Sequence, residues 1–272
     1  MSTPLPRLYL LDVEGTVAPI SFVYEQLFPY ARAHFEEFLR QSLDELGRSG
    51  DDLERDDIAE GSVLRDILTL MKESRNETDP AAPKIMPDHV KAFGSEGTSS
   101  SFFTTMEFAM PRILGFGFWL MDRDRKATAR KSLQGKIWKA GFESGELKGT
   151  LFPDVPEALA RWAERAKVAI YSSGSVEAQR LLFRYSIFGD MTPRIAGYFD
   201  TRTGPKQASA SYKAIAAAMK VEPGEVLFFS DVVRELDPAR EAGCQTRLVV
   251  REGNAPVDDA NGHSVVESFA VL

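Results

Sequence analysis

Cysteine is nearly absent from the sequence, since Cys244 is the only one among 272 residues. One cysteine cannot form a disulfide within the chain, which excludes the disulfide-rich secreted class and favours a reducing cytosol. Histidine is almost as rare, because only His34, His89 and His263 occur, and they are far apart in the chain. Together with Cys244 they give no spacing typical of a zinc site. We therefore expect a cytoplasmic protein without zinc chemistry.

The sequence also lacks a basic excess and a long apolar run. Its 33 lysine and arginine residues stand against 40 aspartate and glutamate residues, a net charge of −7. This balance argues against nucleic acid or an anionic membrane as the main partner. The apolar run at 113–121 is too short to span a bilayer, and the first residues show no signal-peptide pattern. We expect a soluble monomer that acts on a small molecule.

What the sequence does contain is an alternation of strand-like and helix-like segments. The run Leu8–Leu11 is short and wholly apolar, as in a strand buried on both faces of a parallel sheet. From about Leu151, similar strands alternate with amphipathic helices, which indicates crossover connections in a parallel sheet. We therefore expect an α/β protein with a Rossmann-like parallel sheet core, formed by residues 1–20 and 149–272, and an inserted helical cap domain at 21–148.

An aromatic stretch at 102–121 lies within the helical part and contains Pro111. We interpret it as a helical interior that is broken or bent near the proline. The alternative is an apolar wall around a substrate, for which Phe22 and the aromatic residues of 102–119 are candidates. Residues 76–101 contain three prolines and many small polar residues, which predicts a loop.

Polar and charged residues follow the ends of the predicted strands. They are Asp12 and Glu14 after the first strand, Ser172 and Ser173 after the second, Asp231 after a later strand, and Lys206 just before the helix that precedes that strand. Each alone is ordinary, because an acid after a strand often forms a turn and Ser175 could simply cap its helix. In an open parallel sheet, however, such residues meet at one edge, where sites form.

This set of residues resembles the four motifs of the haloacid dehalogenase-like phosphohydrolases. The motifs are Asp12-Val13-Glu14-Gly15-Thr16, the serine after the second strand, Lys206, and Ser230-Asp231. Most members of that superfamily carry aspartate where this chain has Glu14. Together with LQGKIW, IYSSGSVEAQRLLF and SDVVRELDPAREAG, this glutamate is similar to the enolase-phosphatase (acireductone synthase) family of methionine salvage. No specific likeness is found at about 41–110.

The chemistry can be argued in part from the residues themselves. A phosphate ester and a carboxylate nucleophile are both negative, so the attack requires a cation between them, such as Mg²⁺ with oxygen ligands. Asp12 and Asp231 can hold that ion, and the resemblance adds the backbone carbonyl of Glu14 and a stoichiometry of one ion per subunit. The resemblance also makes Asp12 the nucleophile that forms an aspartyl-phosphate.

The resemblance further implies the roles of the remaining residues and the reaction. Glu14 transfers protons, Lys206 neutralises charge and binds substrate, Ser172 and Ser173 donate hydrogen bonds to the phosphate, and Glu235 orients a metal-bound water. The expected reaction enolises 2,3-diketo-5-methylthiopentyl 1-phosphate and then dephosphorylates it to the acireductone 1,2-dihydroxy-3-keto-5-methylthiopentene.

Several other functions are compatible with parts of the pattern. A superfamily phosphatase that acts on another small ester, such as a sugar phosphate, is the nearest alternative. A haloacid dehalogenase would lack the second acid of the first motif, and a non-catalytic binding protein would usually have lost the nucleophile or a metal-binding acid. A serine hydrolase is disfavoured because Ser173-Gly174-Ser175 does not form a G-x-S-x-G elbow.

Overall fold

The computed structural model describes residues 5–48, 59–85, 99–125 and 127–271. It divides into two compact units, one formed by Met1–Leu27 with Gly141–Leu272 and the other by Phe28–Ala140. These boundaries lie inside the predicted helical segment 21–148, because the π-helical turn Phe22–Leu27 and the residues after Ala140 belong to the first unit. That the second unit acts as a cap stays a prediction.

The first unit is built on a six-stranded sheet in which all neighbouring strands are parallel. Its order is β3-β2-β1-β4-β5-β6. The strands are β1 (Leu8–Leu11), β2 (Lys167–Tyr171), β3 (Gly197–Phe199), β4 (Val226–Ser230), β5 (Gln245–Val249) and β6 (Ser264–Val266). The helices between them are α5 (Val155–Ala163), α6 (Val176–Arg184), α7 (Ser209–Met219) and α8 (Val233–Glu241). The predicted fold class, an α/β protein with a parallel sheet core, is confirmed.

Both faces of the sheet are buried, which explains why β1 is wholly apolar and β4 is apolar up to its last residue. Side chains alternate between the two faces along a strand. Leu8, Leu10 and Phe228 pack in a cluster on one face. On the other face, Tyr9 and Phe229 contact Trp162, with ring centroids 4.7 and 5.5 Å from its own. This packing fixes β1 and β4 rigidly, so that the residues at their carboxyl ends have defined positions.

The second unit consists of helices. They are α1 (Phe28–Arg48), α2 (Val63–Asn76), α3 (Ser99–Asp122) and most of α4 (Thr128–Ser144). Phe35, Ile67, Ile113 and Leu133 form part of their shared apolar core. None of the helices in the described ranges is long and apolar enough to cross a membrane.

Helix α3 continues through Pro111, so the predicted break is wrong, whereas the alternative of a bend there stays a prediction. The buried face on either side, including Met110 and Phe116, keeps the helical path in spite of the missing N–H group. This placement agrees with the interpretation of the aromatic stretch as a helical interior. A Cβ atom at Gly117 would lie 2.4 Å from the Phe35 ring, so glycine is needed where α1 and α3 meet.

Some predictions lie partly or wholly outside the described residues. They concern His89, most of the predicted loop at 76–101, and the side chains of the aromatic stretch before Met106. The part of that loop which is described, up to Ile85, forms turns and irregular backbone, and residues 99–101 belong to α3. Phe22 is almost fully buried.

Candidate active site

Three neighbouring strands end at the same edge of the sheet, and each is followed by a predicted site residue. Strand β1 lies between β2 and β4, and Leu11 of β1 is in register with Ile170 and Phe229. Asp12 continues this ladder for one more hydrogen bond, from its N–H to the carbonyl oxygen of Phe229 at 2.9 Å. The sheet therefore holds Asp12, Ser172 and Asp231 side by side at its carboxyl edge.

Lys206 reaches the same edge from the loop before α7. Its Nζ donates to Asp12 Oδ1 at 2.5 Å and to Glu235 Oε2 at 2.6 Å, and its side chain is buried. Burial alone would lower the pKa of this ammonium group, but the negative charges of Asp12 and Glu235 outweigh that effect and raise the pKa above its ordinary value. Lys206 therefore carries a fixed positive charge beside Asp12.

Glu14 lies two residues beyond Asp12 and contacts the end of β2. The Ser172 hydroxyl donates to Glu14 Oε2 at 3.2 Å and accepts from the Gly174 N–H at 3.1 Å. Burial raises the pKa of the Glu14 carboxyl, and the nearby charge of Asp12 raises it further. The carboxyl is thus oriented by a hydroxyl group and holds a proton more readily than an exposed glutamate does, which suits a group that transfers protons.

Asp231 follows β4 and shows the least satisfied carboxylate of the site. Its Oδ1 is buried and finds no hydrogen-bond partner among the described residues. Burial, with the nearby charges of Asp12 and Glu235, raises the pKa of Asp231 to about 7. A buried carboxylate oxygen without a donor is costly, and such groups call for an ion, a water or a functional explanation.

Comparison with known proteins connects this geometry to one family. The sequence-family model of the haloacid dehalogenase-like hydrolases matches residues 6–243. An enolase-phosphatase E1 of Synechococcus elongatus is 45% identical and covers 94% of each chain. One from Pseudomonas fluorescens is 38% identical, covering 97% of this chain and 95% of its own. The chain belongs to the enolase-phosphatase family of haloacid dehalogenase-like hydrolases.

A solved structure extends the likeness to three dimensions. The UTR4 protein of Saccharomyces cerevisiae is 32% identical, covers 98% of this chain and 100% of its own, and superposes with a TM-score of 0.69. Its match runs through both compact units. The prediction of family from the sequence motifs is therefore confirmed.

Enolase-phosphatases are generally Mg²⁺-dependent, and the residues at the sheet edge fit such an ion. Asp12 and Asp231 offer carboxylate oxygens for such an ion, Asp231 Oδ1 among them, and the backbone carbonyl of Glu14 stays the third ligand that the resemblance predicts. No group of three or more His, Cys, Asp or Glu side chains suited to a metal occurs within the described ranges. A site of two carboxylates, one carbonyl and water is consistent with that result, because Mg²⁺ usually retains several waters.

The two predicted serines differ in their surroundings. Ser172 is buried and contacts Glu14, whereas Ser173 is exposed at the start of the turn before α6. Ser175 caps α6, since its side chain accepts from the Ala178 N–H. The segment that follows β2 therefore contains the buried Ser172, the exposed Ser173 and the amino end of α6.

Glu235 lies at the same edge, and its predicted role of orienting a metal-bound water stays a prediction. Its Oε2 accepts hydrogen bonds from Lys206 and, at 3.0 Å, from the Ser230 hydroxyl. These contacts make Glu235 the second carboxylate partner of Lys206.

Two residues that contact this enolase-phosphatase site were missed in the sequence. The Tyr212 hydroxyl shares its proton between the carbonyl oxygens of Lys206 and Glu235, at 2.8 and 2.9 Å. The Asn254 amide donates to the carbonyl oxygen of Gly15 at 2.9 Å. Both bind backbone carbonyl groups, so the sequence motifs that contain the active-site acids do not predict them. The one signal for Tyr212 in the sequence is its place on the apolar, buried face of α7.

Proposed function

We propose that the protein is an enolase-phosphatase that attacks its phosphate ester with Asp12 and requires one Mg²⁺ ion per subunit. Family membership gives the activity, and the residue roles rest on the geometry of the sheet edge. The observation that carries the proposal is the meeting of Asp12, Lys206 and Asp231. One lysine charge faces several carboxylates there, and no described residue donates a hydrogen bond to Asp231 Oδ1. The substrate we propose is 2,3-diketo-5-methylthiopentyl 1-phosphate, which the enzyme converts to the acireductone and phosphate.

The contacts of Asp12 suggest which of its oxygens attacks phosphorus. Oδ1 accepts from Lys206 and from the Val13 N–H at 2.7 Å, whereas Oδ2 has only a long contact of 3.5 Å from the Ser230 hydroxyl. Oδ2 is therefore the freer nucleophile, and Lys206 holds the carboxylate through its other oxygen. A bound Mg²⁺ would neutralise phosphate charge and polarise the oxygen at which enolate charge develops.

Glu14 is assigned the proton transfers. It donates a proton to the departing oxygen during formation of the aspartyl-phosphate and takes one from the water that hydrolyses it. Its raised pKa supports the first role, and its hydrogen bond from Ser172 fixes its direction. We also assign Glu14 the removal of the substrate proton next to the carbonyl group. Ser172, Ser173 and the amino end of α6 are assigned to binding of the phosphoryl oxygens.

The helical unit Phe28–Ala140 is assigned the role of a cap, which would protect a reactive enol from water. Its insertion in the chain between β1 and β2 supports this role. We further propose that the protein is monomeric and acts in the cytoplasm on a small phosphate ester, without nucleic acid or membrane as partner. Sedimentation analysis of the purified chain tests the monomer, and a dimer at micromolar concentration would contradict it.

The proposed activity can be tested directly with the purified protein and the diketone phosphate. With Mg²⁺, we expect ultraviolet absorbance of the enediol to appear together with free phosphate. With EDTA, both signals should disappear. A simple sugar phosphate serves as the control, since it can release phosphate but forms no enediol. Phosphate release from the sugar ester alone would favour the alternative phosphatase and contradict the enolase-phosphatase assignment.

The double role of Glu14 has its own test. Glu14→Asp shortens the side chain and keeps the acid, so it should impair enolisation of the diketone more than phosphate release from a simple ester. Rates for the two substrates, each relative to the unaltered enzyme, give the comparison. Equal losses would refute the role of Glu14 in enolisation and leave the phosphatase mechanism intact.

A further inference from the structure

The segment that follows β5 contacts the loop that carries Asp12 and Glu14. Asn254 Nδ2 donates to the Gly15 carbonyl oxygen at 2.9 Å, and Arg251 Nε donates to the Thr16 carbonyl oxygen at 3.3 Å. Two side chains, three residues apart, therefore bind two consecutive carbonyl groups of the loop after β1. The contacts join parts of the chain that are more than 200 residues apart, 239 in the case of Asn254.

Arg251 anchors this segment to the body of the first unit. Its Nη1 donates to Asp154 Oδ2 at 2.8 Å and to the Glu267 carbonyl oxygen at 3.0 Å. Its guanidinium group also lies 4.6 Å from the ring centroids of Phe152 and Phe269. Because Arg251 is held on several sides, the position of Asn254 close by is determined by the fold.

Asn254 differs from Arg251 in having an acceptor atom that is not used. Asn254 Oδ1 is buried and has no hydrogen-bond partner in the described residues. Exchanging the amide oxygen and nitrogen would not help, because it would place Oδ1 against the Gly15 carbonyl oxygen and lose the only donor contact. The buried oxygen can therefore accept a hydrogen bond from a bound water, although the neighbouring Thr16 Oγ1 and Arg251 Nη2 are likewise buried without a partner among the described residues.

The surroundings of Gly15 show where that donor would be. A Cβ atom built on Gly15, whose φ is +73°, would lie 3.1 Å from Asn254 Oδ1 and 2.3 Å from Asp231 Oδ2. Asn254 Oδ1 and Asp231 Oδ2 thus approach the same side of Gly15. Among the described residues, Asn254 Oδ1 and the other oxygen of that carboxyl, Asp231 Oδ1, are buried without a hydrogen-bond partner. A water bound to a cation at Asp231 would supply the proton for Asn254 Oδ1, since metal-bound waters are good donors.

We propose that Asn254 is a positioning residue with two functions, one for the nitrogen and one for the oxygen of its side-chain amide. Nδ2 fixes the turn that carries Glu14, and Oδ1 accepts a hydrogen bond from a water of the hydrated ion. The second function rests on the proposed Mg²⁺ dependence of the enzyme, whereas the first rests only on the contact with Gly15. Groups that orient the ligands of a metal in this way typically change metal affinity or activity about 10- to 100-fold when they are removed.

Two substitutions separate the functions. Asn254→Ala removes both, so we expect the Kd for Mg²⁺ to rise about 10-fold and kcat to fall about 10-fold, with KM little changed. Asn254→Asp retains an acceptor oxygen but replaces the donor to Gly15, so kcat should fall about 10-fold while the Kd for Mg²⁺ stays within about 3-fold of the unaltered value. A merely structural residue would not separate kcat from the Mg²⁺ affinity in this way.

The measurements use the full chain, and Mg²⁺ alone is the ligand in the binding experiment. Titration calorimetry without substrate gives the Kd, steady-state assays give kcat and KM, and thermal unfolding in EDTA shows that each variant is folded. Asn261→Gly is the matched control: it removes another asparagine of the C-terminal segment, whose φ of +47° suits glycine and whose amide contacts Asp237. We expect this variant to keep both the Kd and kcat.

The possible results are distinct. A folded Asn254→Ala variant whose Kd and kcat both stay within 2-fold of the unaltered values would overturn the inference. If that variant does not fold, Asn254→Asp decides, and an unchanged kcat in it would overturn the positioning of the Glu14 turn. If the unaltered enzyme neither binds Mg²⁺ nor loses activity in EDTA, the proposed metal dependence fails, and the function of Oδ1 fails with it.

Discussion

Each compact unit contains a cluster in which a lysine contacts a buried or largely buried carboxylate, and the two clusters differ in their balance of charge. In the helical unit, Lys136 donates to Asp66, and the Ser132 hydroxyl donates to the same Asp66 oxygen at 2.7 Å. One ammonium group therefore faces one carboxylate. In the sheet unit, Lys206 is the one cation hydrogen-bonded to the cluster among the described residues. The carboxylates there are Asp12, Glu14, Asp231 and Glu235.

The difference indicates which cluster has a function beyond folding. A balanced buried pair needs nothing further, because each charge is compensated and hydrogen-bonded. A surplus of buried carboxylates destabilises the folded chain unless a cation or a proton is added. Stored destabilisation of this kind is typical of functional sites. The surplus of buried carboxylates over cations at the sheet edge is therefore the structural mark of the site.

Removal of the proposed nucleophile is expected to have the largest effect on catalysis. Asp12→Asn should lower kcat for phosphate release by about 10⁴-fold or more, because the proposed attacking oxygen is replaced by an amide. Rates of phosphate release with saturating Mg²⁺ give the measurement. Asp122→Asn is the control, since it changes an exposed carboxylate paired with Arg32 and should leave kcat intact. A residual rate within 10-fold of normal would exclude Asp12 as the nucleophile.

Asp231→Asn tests the surplus itself and should act in opposite directions on activity and on stability. We expect activity with Mg²⁺ to fall about 100-fold or more, as a ligand is lost. In EDTA, the Tm should rise by about 3 °C or more, because a buried charge without a cation is removed. Thermal unfolding with and without Mg²⁺ measures the second effect. A lower Tm in EDTA would show that Asp231 stabilises the metal-free fold, contrary to the comparison of the two clusters.

Asp66→Asn is the corresponding change in the balanced cluster. It leaves Lys136 without its carboxylate partner, so the free energy of unfolding should decrease by about 2 kcal/mol. Denaturant unfolding measures this change, and Asp122→Asn again provides an exposed control, for which about 0.5 kcal/mol or less is expected. If Asp66→Asn stabilised the chain, charge balance would not distinguish the two clusters.

A second balanced pair, Asp154 with Arg251, sharpens the comparison because it lies in the same unit as the surplus. Burial opposes ionisation of Asp154, but donors from Arg251, the Phe269 N–H and the Ser268 hydroxyl outweigh it and lower the pKa. Its contribution to stability is therefore present above the pKa of an unfolded carboxyl group and is lost as the pH falls through the lowered folded value.

Asp154→Asn should accordingly lower the free energy of unfolding by about 1.5 kcal/mol at pH 7. The difference from the unaltered protein should shrink as the pH falls below about 4. Denaturant unfolding at a series of pH values gives the profile. A difference that grew towards acid pH would contradict the assigned direction of the Asp154 pKa.

The sheet and the acids at its edge could be predicted because their signals are local. Apolar runs such as Leu8–Leu11 end abruptly in polar residues, and parallel strands bring those ends together whatever their distance in sequence. Strand β6 gave no such signal, since Ser264 and Val265 are exposed. The continuity of α3 through Pro111 depends on packing against its neighbours, which no propensity scale contains.

The residues that support the site were harder to predict than those that form it. Tyr212 and Asn254 bind backbone carbonyl groups, so their partners have no identity in the sequence. Their contacts arise only when α7 and the segment after β5 are placed against the loop that follows β1. Such contacts between a side chain and a distant backbone group depend on how the chain folds. The sequence motifs around the active-site acids therefore do not predict them.

The central claim is that Asp12 forms a covalent bond to the phosphoryl group. The most direct test is a rapid acid quench of the enzyme with Mg²⁺ and diketone phosphate that is labelled with ³²P. The label should appear on the tryptic peptide 8–32, which contains Asp12, and should be absent in Asp12→Asn. Full turnover with no label on that peptide, or with label on another one, would contradict the account.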